Sequence, residues 1–306
     1  MQYTTLGRSG LRVSRTGFGA IPIQRIDAAA AKRLLLRAVE GGVNFFDTAL
    51  GYTDSEEKIG QAFQDLDRSK LVIATKTPSK TGEGLMRDLK ISLGRLGMDY
   101  VDLYQFHNPD FLPAPGGADG LYDAALEAKR QGLIRSIGIT QHDALRAVEA
   151  AKSGLYDTVQ FPLSYLSDER DMAVVEACRE NHVGFIAMKG FSGGLLSNSA
   201  AAYVYMRELE NVVPIWGIQR MEELEEFLAY EAQGVIMNDA LRADIAKDRE
   251  ELTGSFCRGC AYCHPCLVGI PINIAARLSY LMKRSITQNY LTPEWQENMN
   301  NIENCT

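Results

Sequence analysis

The sequence lacks the features of a membrane or nucleic-acid-binding protein. No apolar run approaches the ~18 residues that a membrane span needs, and residues 1–7 do not pair a basic region with an apolar one as a secretory signal does. Lys and Arg number 32 against 39 Asp and Glu, and the net charge of −7 argues against non-specific nucleic-acid binding. We therefore expect no membrane partner and no nucleic-acid partner, and a cytoplasmic enzyme is the default prediction.

A glycine-rich dinucleotide motif is also missing. No G-x-G-x-x-G follows the first predicted strand, at residues 16–20, which argues against the open, doubly wound sheet that binds dinucleotides through this motif. The chain instead repeats a strand followed by a helix, with further strands starting near residues 44, 70, 100, 134, 158, 184 and 211. Eight such units predict an α/β fold, a (β/α)8 TIM barrel, although an open sheet also alternates strands and helices.

The two ends of the chain depart from this repeat. Residues 4–14 predict a β-hairpin, because residues 6–10 carry turn chemistry between short extended pieces. Beyond residue 235 the repeat stops, and we predict a helix over 238–253, a group of cysteines and a helical tail over 274–285. The predicted division is a barrel over 1–235 and a small helical, cysteine-rich extension over 236–306.

Four groups that can carry or steer a proton follow three of the apolar strands. Asp47 ends one strand and Tyr52 follows it after a short turn, while Lys76 and His107 end the next two strands. The carboxyl ends of barrel strands meet on one face, so these side chains are expected to lie together. Alone, Asp47 could cap a helix, Lys76 could be solvated and Tyr52 could be a half-buried turn residue; only the set predicts chemistry.

In order, spacing and strand context, these four residues resemble the Asp, Tyr, Lys and His tetrad of the aldo-keto reductase family. The resemblance covers the predicted barrel. It implies a barrel plugged at its bottom by the hairpin, and an NAD(P)H-dependent oxidoreductase that interconverts an aldehyde or ketone with its alcohol. Tyr52 would donate the proton, Lys76 would favour the tyrosinate, Asp47 would hold Lys76, and His107 would stabilise the carbonyl oxygen.

The same resemblance implies a nicotinamide cofactor, since no side chain stores a hydride. It assigns cofactor contacts to residues at strand ends and in the loops that follow: Gly19, Thr140, Gln141, His142, Gln160, Met188, Lys189, Gly190, Phe191, Gly194, Leu195, Gly217, Gln219 and Arg220. The segment 140–142 and Gln160 correspond to the carboxamide site, residues 188–196 to the loop over the pyrophosphate, and residues 216–223 to the adenosine end. Met188 stands where the family often has an aromatic residue.

Arg220 bears on the choice between the two nicotinamide nucleotides. Its cation could bind a 2′-phosphate, which favours NADP(H). Glu222 and Glu223 would repel that phosphate, and Phe227 stands where the family has an asparagine. NAD(H) is therefore kept as the alternative.

Four of the six cysteines lie in three successive C-x-x-C spacings: Cys257, Cys260, Cys263 and Cys266. Crowded cysteines without a secretory signal indicate metal ligands, and three close thiolates suit a [4Fe–4S] cluster better than zinc, which usually takes two separated pairs. Zinc and reduced, unligated cysteines stay open. The run resembles the ferredoxin-like module of one branch of the family, in which a second run begins where Cys305 stands, so we expect the native chain to continue past Thr306.

Two other functions are compatible with these features. One is a non-catalytic nicotinamide-binding subunit that senses redox state, which the intact set of four polar residues disfavours. The other is an iron–sulfur electron-transfer protein. It would need a mediator, because a hydride carries two electrons whereas a cluster moves one at a time. The expected partner is a small carbonyl or alcohol substrate.

Overall fold

The computed structural model describes residues 1–252, 266–284 and 290–305. In these ranges eight parallel strands form a closed barrel, in which each strand pairs with the next and the last pairs with the first. The strands are β3 (Gly17–Gly19), β4 (Phe45–Asp47), β5 (Val72–Thr77), β6 (Val101–His107), β7 (Ile134–Thr140), β8 (Thr158–Pro162), β9 (Gly184–Met188) and β10 (Val212–Gly217). The predicted (β/α)8 barrel is confirmed, and the open sheet is wrong.

Helices follow the strands and cover the outside of the barrel. They are α1 (Ala28–Glu40), α2 (Ser55–Phe63), α3 (Gly82–Leu96), α4 (Leu121–Arg130), α5 (Ala144–Lys152), α6 (Glu169–Glu180), α7 (Ser199–Glu208) and α8 (Met221–Gln233). Their ends follow local chemistry: the Asp27 side chain accepts a hydrogen bond from the Ala30 N–H at the start of α1, and Gly97, with φ +63°, ends α3. Each of the eight helices buries one apolar face against the sheet, and this packing holds the helix in place.

The hairpin pairs β1 (Tyr3–Thr5) with β2 (Arg12–Ser14) and closes the amino-terminal end of the barrel. Leu6, Leu11 and Val13 are buried in the cluster that fills the barrel interior. Gly7 forms a bridge with Val183, and a Cβ added to Gly7 would lie 2.1 Å from the Gly184 nitrogen. Only glycine fits there, so the hairpin is seated tightly on β9.

The inside of the barrel changes character along the strands. Successive residues of a strand face opposite sides of the sheet. The apolar layer next to the hairpin therefore consists of alternate strand residues: Phe45, Val72, Ala74, Leu103, Ile186, Val213 and Ile215. Two residues further along the same strands lie Asp47, Lys76 and Gln105, all buried. This polar layer is the floor of the open, carboxyl end of the barrel.

The described residues after α8 include four more α-helices. They are α9 (Asp239–Leu252), α10 (Ile272–Ala275), α11 (Leu278–Arg284) and α12 (Pro293–Asn300). Helix α9 is fastened to the barrel because the Tyr165 hydroxyl donates to Asp248 at 2.5 Å and Arg249 donates to the Tyr165 carbonyl at 2.6 Å. Helices α10 and α11 occupy most of the predicted helical tail over 274–285, with a turn between them at Ala276 and Arg277. Within the described residues, no helix is long and apolar enough to cross a membrane.

Candidate active site at the carboxyl ends of the strands

The four predicted polar residues meet at one point. Lys76 Nζ lies 2.5 Å from Asp47 Oδ1 and also donates to the Thr48 carbonyl at 2.6 Å. The same Nζ lies 5.0 Å from the centre of the Tyr52 ring. The Tyr52 and His107 rings are edge to face with centres 5.8 Å apart. Residues far apart in the sequence thus converge on one face, as the strand pattern predicts.

The turn after β4 brings Tyr52 back over Lys76. The Thr48 N–H donates to the Ala74 carbonyl and the Leu50 N–H donates to the Lys76 carbonyl, so the chain keeps pairing with β5 beyond the strand itself. The Tyr52 N–H then donates to the Ala49 carbonyl and closes the turn. Backbone pairing thus places the phenol next to Lys76, and a side-chain hydrogen bond joins the two residues.

Burial and neighbouring charges determine which of these groups are protonated. Burial is the largest single influence on the pKa of Lys76 and acts to lower it. The charges of Asp47 and Tyr52 and the hydrogen bonds to both together outweigh burial, so this pKa lies above its ordinary value. Burial raises the pKa of Tyr52 by more than the Lys76 cation lowers it. Lys76 acts in the expected direction, towards the tyrosinate, but desolvation is the larger effect on this pKa. The site holds a cationic lysine and a protonated phenol.

His107 and His142, at the open end of the barrel, are neutral near pH 7. Burial lowers the pKa of His107 to about 3, helped by the positive field of Lys76 and by His142. Burial also lowers the pKa of His142 to about 4, with a contribution from Lys189. A neutral imidazole keeps one N–H donor, so His107 can donate a hydrogen bond to a carbonyl oxygen without carrying charge.

Sequence reasoning missed Gln105, which is fully buried beside the ion pair. Its Nε2 donates to Asp47 Oδ2 at 3.0 Å, while Gln160 Nε2 lies 3.4 Å from Asp47 Oδ1. Room for Gln105 comes from Gly138, where an added Cβ would lie 3.0 Å from Gln105 Cγ and 2.3 Å from the Thr158 hydroxyl. The available signal was its spacing, because Gln105 stands two residues before His107 and so faces the same side of β6.

The segment 140–142 is tied to the loop that follows β6. Thr140 pairs with His107 in the sheet, and its hydroxyl accepts a hydrogen bond from the Asn108 N–H at 2.8 Å. The Asn108 side chain accepts from the His142 N–H at 3.2 Å, and Gln141 donates to the Pro109 carbonyl at 2.8 Å. Asn108, a second residue that the sequence did not single out, takes a left-handed conformation with φ +55° to do this. Asn108 thus connects the loop after β6 with the end of β7 and the residues that follow it.

Residues 189–195 follow β9 and form a loop, the 189–195 loop, at the carboxyl ends of the strands. Four of its residues have positive φ: Lys189, Ser192, Gly193 and Gly194. Gly190 is packed so closely that an added Cβ would lie 2.5 Å from the Trp216 ring, and the Phe191 ring lies 5.3 Å from that of Trp216. The N–H groups of Gly194 and Leu195 donate to the Phe191 carbonyl, so they shape the loop itself.

A small cavity of about 50 Å³ lies beside this loop. It is lined by Lys189, Asp171 and the hydroxyl residues Ser164, Ser167 and Ser192, together with Pro162, Leu163 and Leu166. A cation with several hydroxyls suits a bound anion. The cavity lies beside the loop that was predicted to cover the pyrophosphate of a dinucleotide.

The remaining predicted cofactor residues lie around the first and last barrel strands. Gly19 pairs with Gly217 of β10, and neither carries a side chain that would fill the mouth. Glu223 Oε2 accepts hydrogen bonds from the Gln219 and Arg220 N–H groups at 3.0 and 3.1 Å. The Arg220 guanidinium is paired with the same carboxylate at 2.8 Å. Met188, by contrast, is half-buried against the apolar layer inside the barrel.

Three of the four cysteines predicted as metal ligands, Cys257, Cys260 and Cys263, lie outside the described residues. Cys266 is partly buried and Cys305 is exposed. Across residues 1–252, 266–284 and 290–305, His, Cys, Asp and Glu do not form a group of three that could hold a metal ion. Cys178 lies buried in α6, where burial raises the pKa of its thiol to about 12.

The chain is similar to known oxidoreductases and to channel subunits. It is 32% identical over 231 residues to the uncharacterized oxidoreductase YrpG of Bacillus subtilis, which covers 65% of this chain and 69% of that protein. It is 43% identical over 125 residues to a probable voltage-gated potassium channel subunit beta of Oryza sativa subsp. japonica. That stretch covers 36% of this chain and 38% of the rice protein, so the match spans well under half of the relative's length.

A solved structure has the same architecture. The holo form of the aldo-keto reductase AKR11C1 from Bacillus halodurans superposes with a TM-score of 0.72 at 22% identity, covering 83% of this chain and 98% of that one. At this identity the likeness shows the fold alone. The sequence model of the Aldo/keto reductase family, however, matches residues 15–203, more than half of the 306 residues, and includes Asp47, Tyr52, Lys76 and His107. The chain therefore belongs to the aldo/keto reductase family.

Proposed function

We propose that this protein is an NAD(P)H-dependent oxidoreductase that reduces an aldehyde or ketone to an alcohol, or catalyses the reverse reaction. The observation that carries the proposal is the meeting of the Asp47–Lys76 ion pair with the Tyr52 phenol and the His107 imidazole at the open end of the barrel. A small carbonyl compound at this point would face two neutral donors and one fixed cation.

The surrounding residues fit a nicotinamide nucleotide. Gln160 Oε1 is buried and, among the described residues, has no hydrogen-bond partner. A carboxamide N–H group would satisfy it, which matters because a buried acceptor left unbonded is costly. Lys189 and the serines of the adjacent cavity suit the phosphates, and Gly19 and Gly217 leave space between these two ends.

The chain's own residues then have separate tasks. The bound nicotinamide would supply the hydride. The Tyr52 hydroxyl would donate the proton to the carbonyl oxygen, and its raised pKa keeps it protonated near neutral pH. The Lys76 cation would stabilise the phenolate that remains, while Asp47 keeps the lysine charged and in place. The neutral His107 N–H would donate a hydrogen bond to the substrate oxygen and stabilise its developing charge.

The test is cofactor oxidation with a panel of simple aldehydes and ketones, using the wild type and Tyr52→Phe. We expect turnover in the wild type and a loss of about 100- to 10,000-fold in kcat for Tyr52→Phe, because the proton donor is removed. Nucleotide binding should be retained.

Tyr3→Phe is the matched control, since the Tyr3 hydroxyl donates to the Gly42 carbonyl at the hairpin end of the molecule. It should keep wild-type activity. Nucleotide binding without turnover on any carbonyl would reject the reductase and favour a redox-sensing subunit.

NADP(H) is our proposed cofactor, with NAD(H) as the alternative. Arg220 is exposed at the rim, where it could meet a 2′-phosphate. Its pairing with Glu223 opposes this role, because the guanidinium would have to leave the carboxylate first.

For the region after the barrel we propose a separate extension over 236–306 that carries a [4Fe–4S] cluster on Cys257, Cys260, Cys263 and Cys266. The support is the sequence spacing of these cysteines. Iron and sulfide analysis of anaerobically prepared protein tests it, and the absence of iron at any stoichiometry would reject the cluster.

A further inference from the structure

Arg277 of the proposed extension contacts the 189–195 loop. Arg277 lies between α10 and α11 and is only 5% exposed. Its Nη1 donates to the Ser192 carbonyl at 3.1 Å, and its Nε donates to the Asn273 carbonyl at 2.8 Å. One guanidinium thus joins the extension to a loop at the open end of the barrel.

The loop is built to receive this side chain. A Cβ added to Gly193 would lie 2.9 Å from Arg277 Nη1, and Gly193 has φ +69°. The φ angle disfavours any side chain at position 193, and the missing Cβ lets the guanidinium approach the backbone. Ser192 itself has φ +49°, a conformation that an L-residue seldom adopts without support from its surroundings.

Ser192 is held from two directions. On the barrel side, its hydroxyl is 2.7 Å from that of Ser164 after β8. On the other side, Arg277 holds its carbonyl. Both serines line the cavity that also contains Lys189. The position of Ser192, and with it one wall of the anion-sized cavity, therefore depends on a residue of the extension.

We propose that Arg277 is a positioning residue for the nucleotide: it fixes the 189–195 loop in the conformation that binds the phosphates, so the extension sets the affinity for the cofactor. This rests on the proposed function above. A buried guanidinium is costly unless it is hydrogen-bonded, which makes the contact with Ser192 persistent. When the contact is lost, the strained loop relaxes and the cavity loses its shape.

The experiment uses the full chain with Arg277→Met, Arg277→Lys and the control Lys283→Met, which makes the same charge change at an exposed residue of α11. Affinity for NADPH and NADH is measured by the fluorescence of the reduced nucleotide, alongside kcat at saturating nucleotide. For Arg277→Met we expect a Kd about tenfold higher, as for the loss of a hydrogen bond to a charged group, and nearly unchanged kcat. Arg277→Lys should be intermediate and Lys283→Met unchanged.

Amide hydrogen exchange in the nucleotide-free proteins provides a readout that needs no cofactor. Residues 189–195 should exchange faster in Arg277→Met and Arg277→Lys, while β3–β10 stay as protected as in the wild type. Wild-type nucleotide affinity together with unchanged loop exchange would overturn the inference. If Arg277→Met does not fold, the Arg277→Lys exchange decides. Failure of the wild type to bind either nucleotide rejects the proposed function, whereas the exchange result still judges the hold of Arg277 on the loop.

Discussion

At the residue scale, the Asp47 carboxylate is the centre of the polar layer. It is 2% exposed and takes hydrogen bonds from three strands, through Lys76 on β5, Gln105 on β6 and Gln160 on β8. Lysine supplies the opposite charge, but a single flexible amine does not fix the plane of a carboxylate. The two amides do, and they therefore determine where Lys76 lies relative to Tyr52.

Gln105→Leu is expected to reduce kcat by about tenfold, because a hydrogen bond to a charged group contributes about 1.5–3 kcal/mol and its loss lets the carboxylate turn. The KM for the nucleotide should change little, since Gln105 lies below the proposed nucleotide site. Steady-state kinetics with a responsive carbonyl measures both values. Gln131→Leu, at an exposed position after α4, is the control; an unchanged kcat in Gln105→Leu would remove Gln105 from the proposed mechanism.

Polar site residues could be predicted from the sequence where they end an apolar strand or follow it closely. Asp47, Lys76 and His107 stand out because each ends a buried run, and Tyr52 because it follows one closely. Gln105 lies inside a strand, where only its spacing of two residues from His107 indicates that it faces the site. The contact between Arg277 and Ser192 joins residues 85 positions apart, and neither the composition nor the spacing of the chain encodes it.

At the scale of elements, the hairpin closes the end of the barrel beneath the polar layer. Leu6 is 1% exposed and belongs to the cluster of Phe45, Ala74 and Leu103, directly below the buried charges. Without the hairpin, water would reach Asp47 and Lys76 from the amino-terminal end of the barrel. The hairpin therefore affects both stability and the low-dielectric setting of the site.

Leu6→Ala should lower the free energy of unfolding by about 2–5 kcal/mol, as is typical when a fully buried leucine is truncated and a cavity remains. Leu145→Ala is the matched control, because Leu145 is 77% exposed on α5 and its truncation should change stability by less than about 0.5 kcal/mol. Urea denaturation of both variants gives the comparison. Equal effects would show that the hairpin does not contribute to the core.

The first turn of α8 is the element that we expect to govern nucleotide preference. Glu223→Gln should strengthen NADP(H) binding relative to NAD(H) by about three- to tenfold, because it frees Arg220 and removes one negative charge near the phosphate. Glutamine can still accept the N–H groups that Glu223 now caps. Glu222→Gln, the same change at the preceding residue, is the control. A preference that shifts equally in both variants would exclude a specific role for Arg220.

The positions of helices could be predicted where the spacing of apolar residues agrees with the placement of helix-breaking residues. Helix α1 ends at the Gly41–Gly42 pair, which is a sequence signal for a helix end, and α3 buries the leucines that recur at helical spacing. The helical tail predicted over 274–285 is present as α10 and α11. The turn between them at Ala276 and Arg277 was not predicted, and Arg277 there contacts the Ser192 carbonyl.

At the scale of the whole molecule, the site makes stability depend on pH. The pKa of His107 is lowered to about 3 and that of His142 to about 4, so below the unfolded value near 6.5 the unfolded chain binds more protons than the folded one. These groups therefore contribute stability that is present above pH 6.5 and is lost as pH falls towards 4. The pKa of Glu56, raised by burial, acts in the opposite direction.

Because Glu56 is common to both proteins, a comparison isolates the histidines. We expect the unfolding free energy of the wild type to fall more steeply between pH 7 and pH 5 than that of the His107→Gln/His142→Gln variant. Urea denaturation at several pH values measures this difference. Identical slopes would show that the two imidazoles are not kept neutral by the fold.

Met1 packs beside Gly42, ahead of β4 and next to the hairpin, at the end of the barrel away from the substrate mouth. An anchor attached at this terminus would leave the opposite face pointing outward. Coupling the protein through Met1 to an electrode or resin should therefore orient every copy with its entrance open, whereas random coupling through surface lysines would block part of the population.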